Sequence, residues 1–409
     1  MLAQVHNSEE YELFCRGELK DPYPFFRGLR EEDPVHWSER LNSWVLTPHQ
    51  HVSEGLRDHQ HLSSGRMGLF IKNLPEPMRA EYSLIEEHIS RWMVMIDRPR
   101  HADLRRLVNK AFTPREVQKL EPQVRQLCNE LIDTVVDAKR MDLIGDFCYP
   151  LPAIVIATML GVPTEDREKF KAWSDKITSF VGGSRVTIPD LAPAAHESLT
   201  ELIDYMREMV RERRRHPRED LTSALLGVED EGDRLSEEDV VAMCNLLLVA
   251  GHETTTGLLG NGLLLLLLNP DQRRRLEVDP SLIDSAIEEM LRYESPLQRQ
   301  TRLVKEDYEI DGRRIREGQS LVLLQGAANR DPAVFTDPDR FDIGRTENNH
   351  VSFGKGIHLC LGSPLARMEA RVAIPLVLER LPGLRRASSD YQWRRNVNFR
   401  SLTTLPVEF

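Results

Sequence analysis

Cysteine is scarce. The 409 residues hold five (Cys15, Cys128, Cys148, Cys244 and Cys360), odd in number, far apart and never spaced C-x-x-C. Such a set supplies neither a disulfide framework nor a zinc site, and it suits a reducing compartment. Long apolar runs are also missing. The longest, Leu263–Leu268, is stopped by Asn269-Pro270, far short of the roughly 20 residues that cross a bilayer. The opening stretch MLAQVHNSEEYELFCRG has early acids and no apolar core, which speaks against a signal peptide or an anchor. A cytoplasmic protein without a membrane partner is expected. Positive charge is in deficit, 54 Lys and Arg against 65 Asp and Glu for a net −11, so nucleic acid and anionic membranes are poor partners. Three signatures fail. No G-x-x-x-x-G-K-[ST] is present, Leu359 stands where G-x-G-x-x-G needs its third glycine, and Thr256 stands where H-E-x-x-H needs its second histidine.

What remains is a globular balance, 40% hydrophobic and 29% charged, on a chain long enough to bury a large core. Up to about residue 60, turn signals (Asp21-Pro22, Asp33-Pro34) alternate with short apolar runs such as Trp44–Leu46, which predicts short strands and helices. Residues 62–97, rich in Met, Arg and aromatics, read as a long irregular stretch. From about 100 to 280 a helical period dominates; Val124, Leu127, Cys128, Leu131, Ile132 and Val135 share one face. Ser236, with Asp239 three residues on, opens a helix that Pro270 ends after Leu268, roughly 50 Å long. Another helix runs from Ser281 to about Tyr293, and 300–325 reads as strands about the turn Asp311-Gly312. The last helix follows Cys360 and contains Pro375, which should kink or shorten it. The fold class is mainly α with small β-sheets, and no linker or repeat divides 1–409, which reads as a single domain.

The segment Phe353-Gly354-Lys355-Gly356-Ile357-His358-Leu359-Cys360-Leu361-Gly362 is a glycine-rich turn that delivers one cysteine to the start of a helix. Glycine permits the tight path and close approach to a flat ligand, and a helix N-terminus favours a negative sulfur. The pattern F-G-x-G-x-H-x-C-x-G is complete and resembles the cysteine-ligand loop of cytochromes P-450. Three further motifs share the resemblance: Ala250-Gly251-His252-Glu253-Thr254-Thr255 on the long helix, Glu289-Met290-Leu291-Arg292 with Pro338-Asp339-Arg340-Phe341, and His101-Ala102-Asp103-Leu104-Arg105. Together they cover essentially the whole chain.

The resemblance implies the cytochrome P-450 fold and haem b with an axial thiolate from Cys360. It implies that Phe353, Gly354 and Gly362 shape the ligand loop, that His101, Arg105, Arg302 and His358 meet the propionates, and that Ala250 leaves room beside the ring. Leu246, Ala250 and Thr254 lie on one face at i, i+4 spacing, and Glu253 with Thr254 matches the family's acid–alcohol pair for proton relay. Glu289 and Arg292 match a buried structural ion network, with Arg340 as the direct match for its third member and Arg345 as a rival. Phe70, Ile89, Trp92, Met93, Leu246, Val249, Leu297, Gln298 and Leu402 match substrate-pocket positions, though Met and Trp at such spacing serve equally as plain core.

The activity implied is insertion of one atom of O2 into a C–H or C=C bond of a medium-to-large, mostly apolar molecule, in polyketide, macrolide or terpenoid metabolism. No flavin or nicotinamide motif is present, so electrons come from an external ferredoxin and ferredoxin reductase. Six basic residues and one acid, Asp103, between Arg98 and Arg115, with Lys355 in the cysteine loop, offer a face for an acidic ferredoxin. Two rivals keep the haem-thiolate: a peroxygenase or isomerase/dehydratase, and a non-enzymatic haem sensor. The intact Glu253-Thr254 pair speaks against the first and the absence of a signalling module against the second.

Overall fold

The hydroxyl of Ser236 accepts from the Asp239 N–H and the Asp239 carboxylate accepts from the Ser236 N–H. This reciprocal cap opens a helix whose 32 residues, Glu237–Leu268, run unbroken through the middle of the molecule. In the computed structural model, which describes residues 9–72, 74–230 and 232–409, the elements that position the site are these. The helices are α1 (Arg100–Ala111), α2 (Glu121–Asp133), α3 (Pro150–Leu160), α4 (Arg167–Val181), α5 (Ile188–Arg215), α6 (Glu237–Leu268), α7 (Ile283–Tyr293) and α8 (Ser363–Arg380). The main sheet holds β1 (Val35–Ser38), β2 (Ser43–Leu46), β3 (Leu62–Ser63), β4 (Gln300–Val304) and β5 (Ser320–Leu323), in the order β1-β2-β5-β4-β3. The β2–β5 pair is parallel and the others antiparallel.

Helix α6 is apolar around its whole circumference, the mark of a helix enclosed by others. It packs against α3, α5, α7 and α8, and α8 in turn lies on α2. The turn Asp311-Gly312, with φ of 49° and 73°, suits a type I′ hairpin and joins short strands at Tyr308–Ile310 and Arg313–Ile315.

Two local expectations are corrected. Residues 62–97 are not irregular: helices span Met67–Lys72, Glu76–Glu81 and Ser83–Ile89, and a 3-10 turn spans Met93–Met95. Each is too short to persist alone, but burial of Met67, Ile85, Ile89 and Trp92 in the core supplies the stability that local sequence lacks. Nor does Pro375 shorten the last helix, which continues to Arg380. Flanking residues Ala373, Ile374, Leu376 and Val377 are buried, and that packing offsets the hydrogen bond lost at the proline.

The expected ion network is present, with a different third member. Both side chains of the Glu289–Arg292 pair are 0% exposed. Arg292 Nε and Nη2 donate to Glu289 Oε2 and Oε1 at 2.7 and 2.8 Å, while its remaining donors reach the carbonyls of Asn329, Pro338 and Arg340. The second cation on Glu289 is Arg345, Nε to Oε2 at 3.1 Å. Arg340 contributes only its carbonyl; its guanidinium turns outward, 64% exposed, 4.0 Å from Asp342. Glu369 of α8 is a contrasting buried acid: its Oε2 has no partner, and burial raises its carboxyl from 4.5 to about 8.

Two outcomes follow for unfolding measurements. Arg345→Ala strips a partner from a buried carboxylate and should cost about 3 kcal/mol, whereas Arg340→Ala should change stability by less than about 0.5 kcal/mol. Equal losses in chemical denaturation would reinstate Arg340. Glu369 holds a proton in the folded chain that the unfolded chain releases above pH 4.5, so its contribution to stability falls as pH rises from 4.5 towards 8. Glu369→Gln should therefore stabilise the protein at pH 7, by about 3 kcal/mol at most, and give no gain at pH 4; a gain independent of pH would contradict this account.

Candidate active site around Cys360

The cysteine loop depends on two left-handed glycines, Gly354 (φ 72°) and Gly356 (φ 68°). At Gly356 a Cβ would lie 2.9 Å from Arg57 Cα and 3.1 Å from the Leu56 carbonyl, so only glycine lets the loop pass there. The Cys360 N–H donates to the Phe353 carbonyl at 2.9 Å, closing the loop, and the Arg367 guanidinium lies 4.4 Å over the Phe353 ring. Helix α8 then begins at Ser363, three residues past the sulfur. Burial pushes the Cys360 thiol up, while the N–H of Gly362, the Arg105 guanidinium and the N–H of Ser363 pull it back.

Cys360 opens onto a cavity of about 280 Å³. The other four thiols are buried and burial drives them upward, Cys15 to about 11 and Cys128 and Cys244 to about 12. One wall of the cavity comes from α6, with Leu246, Val249, Ala250 and Thr254. The Thr254 hydroxyl donates to the Ala250 carbonyl at 3.0 Å. Trp92, Met93 and Leu297 add apolar surface, and His101 and Arg105 of α1 stand beside the cysteine loop with Phe353, His358 and Gly362.

Basic side chains crowd this chamber: Arg66, Arg105 and Arg299 line it beside His101 and His358. The His101 and His358 rings are 4.2 Å apart. Burial, then Arg105, presses His101 to about 4; burial, then Arg302 and His101, presses His358 to about 3. The buried His101 Nε2 has no hydrogen-bond partner, and among the described residues neither Asp nor Glu lines the chamber. A thiol at a helix start, an orphaned imidazole and uncompensated guanidinium groups form a donor set that fits haem: a flat ring, one open metal position and two carboxylates.

Other expected residues lie off the wall. Arg302 is buried behind it, donating to the Thr301 carbonyl at 3.1 Å and to Gln300 Oε1 at 3.0 Å. Gly354, Ile89, Gln298 and Leu402 are not part of the lining. Ile89 and Leu402 belong to the core, and Gln298 Nε2 is spent on the Ser295 carbonyl at 2.7 Å. The side chain of Phe70 lies outside the described residues. Glu253 also points away from the chamber. Ser401 Oγ donates to its Oε1 at 2.7 Å, Arg394 Nε lies 3.4 Å from the same oxygen, and Oε2 has no partner. His252 and Asp175 complete this buried cluster, and Arg394 Nη1 reaches Asp175 at 3.4 Å. Arg66, Arg299, Asp175 and Arg394 had no sequence signal, because none belongs to a motif; Asp175 and Arg394 lie far along the chain from the Glu253 they approach.

The cytochrome P-450 family model matches residues 43–382. A biotin biosynthesis cytochrome P-450 of Bacillus subtilis (strain 168) is 39% identical over 401 residues, 96% of this chain and 97% of the relative. A vitamin D(3) 25-hydroxylase of Pseudonocardia autotrophica is 38% identical over 415 residues, 100% of this chain and 98% of that one. Among solved structures, P-450BioI in complex with an acyl carrier protein ligated to hexadec-9Z-enoic acid has a TM-score of 0.88 at 37% identity, covering 98% of this chain and 100% of its own. Loop, helix wall, cation set and these matches converge: the chain belongs to the cytochrome P-450 family of haem-thiolate monooxygenases.

Proposed function

We propose that this enzyme oxidises a medium-to-large, mostly apolar molecule of natural-product metabolism, with O2 as oxidant and Cys360 as the haem ligand. The observation that carries the reading is the apolar wall of Trp92, Met93, Leu246, Val249 and Leu297 facing the one thiol that opens onto the chamber. Relatives span this chemistry: one solved neighbour carries an acyl chain on its carrier protein, and CYP109E1 of Bacillus megaterium holds testosterone, at 34% identity and a TM-score of 0.82. Haem, when bound, supplies the oxygen-activating and redox chemistry.

The chain's own residues do the rest. His101, Arg105 and His358 would hold the propionates of a bound haem, with Arg302 behind them once released from Gln300, while Ala250 leaves space on α6 that lets Thr254 approach. Thr254 Oγ1 presents a hydroxyl to the chamber and Glu253 Oε2, free of partners on the far side, brings protons to it as the side chain swings from Arg394. Apolar packing excludes bulk water from the substrate face. Glu253→Gln should lower turnover by about 10²-fold or more with the substrate-induced spectral shift unchanged. A peroxygenase or an isomerase would keep its rate, so an unaffected variant defeats the monooxygenase reading.

Electrons enter from a ferredoxin on the cysteine side. Part of the α1 charge is already engaged: Arg106 Nη2 meets Asp233 at 3.0 Å and Arg100 meets Asp239 at 2.5 Å. Lys355, with Arg57 beside it, extends the basic face along the cysteine loop. Lys355→Glu should slow reduction by an acidic ferredoxin about tenfold at low salt with substrate affinity unaltered; unchanged reduction kinetics would remove this docking face.

A further inference from the structure

A smaller cavity of about 90 Å³ adjoins the Cys360 chamber; Arg66, Arg299, Thr301 and Asn398 line both. Its walls come from the segment joining α4 to α5, the ends of β2 and β5, and the start of β4. Three arginines line it, Arg66, Arg185 and Arg299, and among the described residues no Asp or Glu lines either cavity. In a chain with 65 acids against 54 bases, the two joined cavities are lined by four arginines and two histidines and, among the described residues, by no carboxylate.

The burial of Arg299 is the sharper observation. Arg299 is 4% exposed. Its Nε donates to Asn398 Oδ1 at 2.9 Å, and its buried Nη1 has no partner. Arg66 Nη1 donates only to the Ser64 carbonyl, at 3.2 Å. Among the described residues Arg185, which is exposed, has neither a hydrogen bond nor an ion pair. Burial lowers Arg299 to about 10 and, with help from Arg302, Arg66 to about 9. A buried guanidinium without counter-charge is costly. Arg299 stands apart from the residues expected at the propionates: it lines both cavities, whereas His101, Arg105 and His358 line the chamber alone and Arg302 lines neither.

We propose that the small cavity is a subsite for an oxyanion, a carboxylate or a phosphate, carried at one end of a substrate whose apolar body fills the chamber. The proposal rests on the chamber being the substrate site. Arg299 offers its fork from within and Arg185 closes from the surface, the bidentate geometry suited to either anion. Anchoring the charged end at a fixed point makes the chamber a ruler, so the bond oxidised is set by its distance from the anion.

Holoenzyme titrations that follow the Soret band test this. Straight-chain fatty acids are compared with their methyl esters, and S-acyl pantetheine thioesters with and without the terminal phosphate form a second arm. The charged member of one pair should bind about tenfold more tightly, the value of one charge-assisted hydrogen-bond pair, and Arg299→Gln and Arg185→Gln should each narrow that preference. Arg185 is exposed, so its variant remains informative should Arg299→Gln fold poorly. An acid-over-ester preference identifies a carboxylate, and a preference for the phosphorylated thioester identifies a phosphate. Equal binding of charged and neutral members, or a preference untouched by both substitutions, overturns the subsite and leaves the apolar chamber standing. Failure of every chain, charged or neutral, to move the band overturns the chamber reading as well.

Discussion

A sulfur that must be negative, reachable and yet enclosed is a demanding thing to build, and most of this architecture follows from it. The amides at the start of α8 and the guanidinium of Arg105 lower the cost of the charge. Those amides point correctly only because the loop doubles back, Cys360 N–H onto the Phe353 carbonyl, and only glycine fits where Gly356 passes the chain at Leu56 and Arg57. The loop in turn needs a rigid floor. Glu289 and Arg292 supply it by tying α7 to the carbonyls of Asn329, Pro338 and Arg340, and Arg345 and Asn348 extend the tie toward the loop.

Helix α6 answers the sulfur from the other side. A helix enclosed on all faces cannot carry polar groups casually, so those it does carry are informative. Thr254 faces the chamber and Glu253, one residue away, faces a separate buried cluster with Asp175, His252 and Arg394. Adjacent positions on a helix diverge by about 100°, which lets one element present an alcohol to the chamber and keep an acid out of it. The uncompensated cations form the complementary theme. A chain with net charge −11 places arginine and histidine, and among the described residues no carboxylate, around these inner spaces, which is explicable if anionic groups are meant to occupy them.

Local chemistry was enough to find the glycine-rich cysteine loop, the capped helix and the turn at Asp311-Gly312, and the family resemblance added the Glu289–Arg292 pair, since each is carried by residues within about ten positions of one another. The cofactor followed from the resemblance that those segments carry. What the tertiary structure alone decided were the contacts made across long stretches of chain. Arg345 rather than Arg340 reaches Glu289 because the 337–345 turn directs one guanidinium inward and one outward. Short helices persist between residues 67 and 89 because their apolar faces find a core, and α8 continues past Pro375 for the same reason. Glu253 turns to Arg394, and Arg66, Arg185 and Arg299 meet at one cavity, because burial and charge act through space, and spacing along the chain does not record which distant groups the fold brings together.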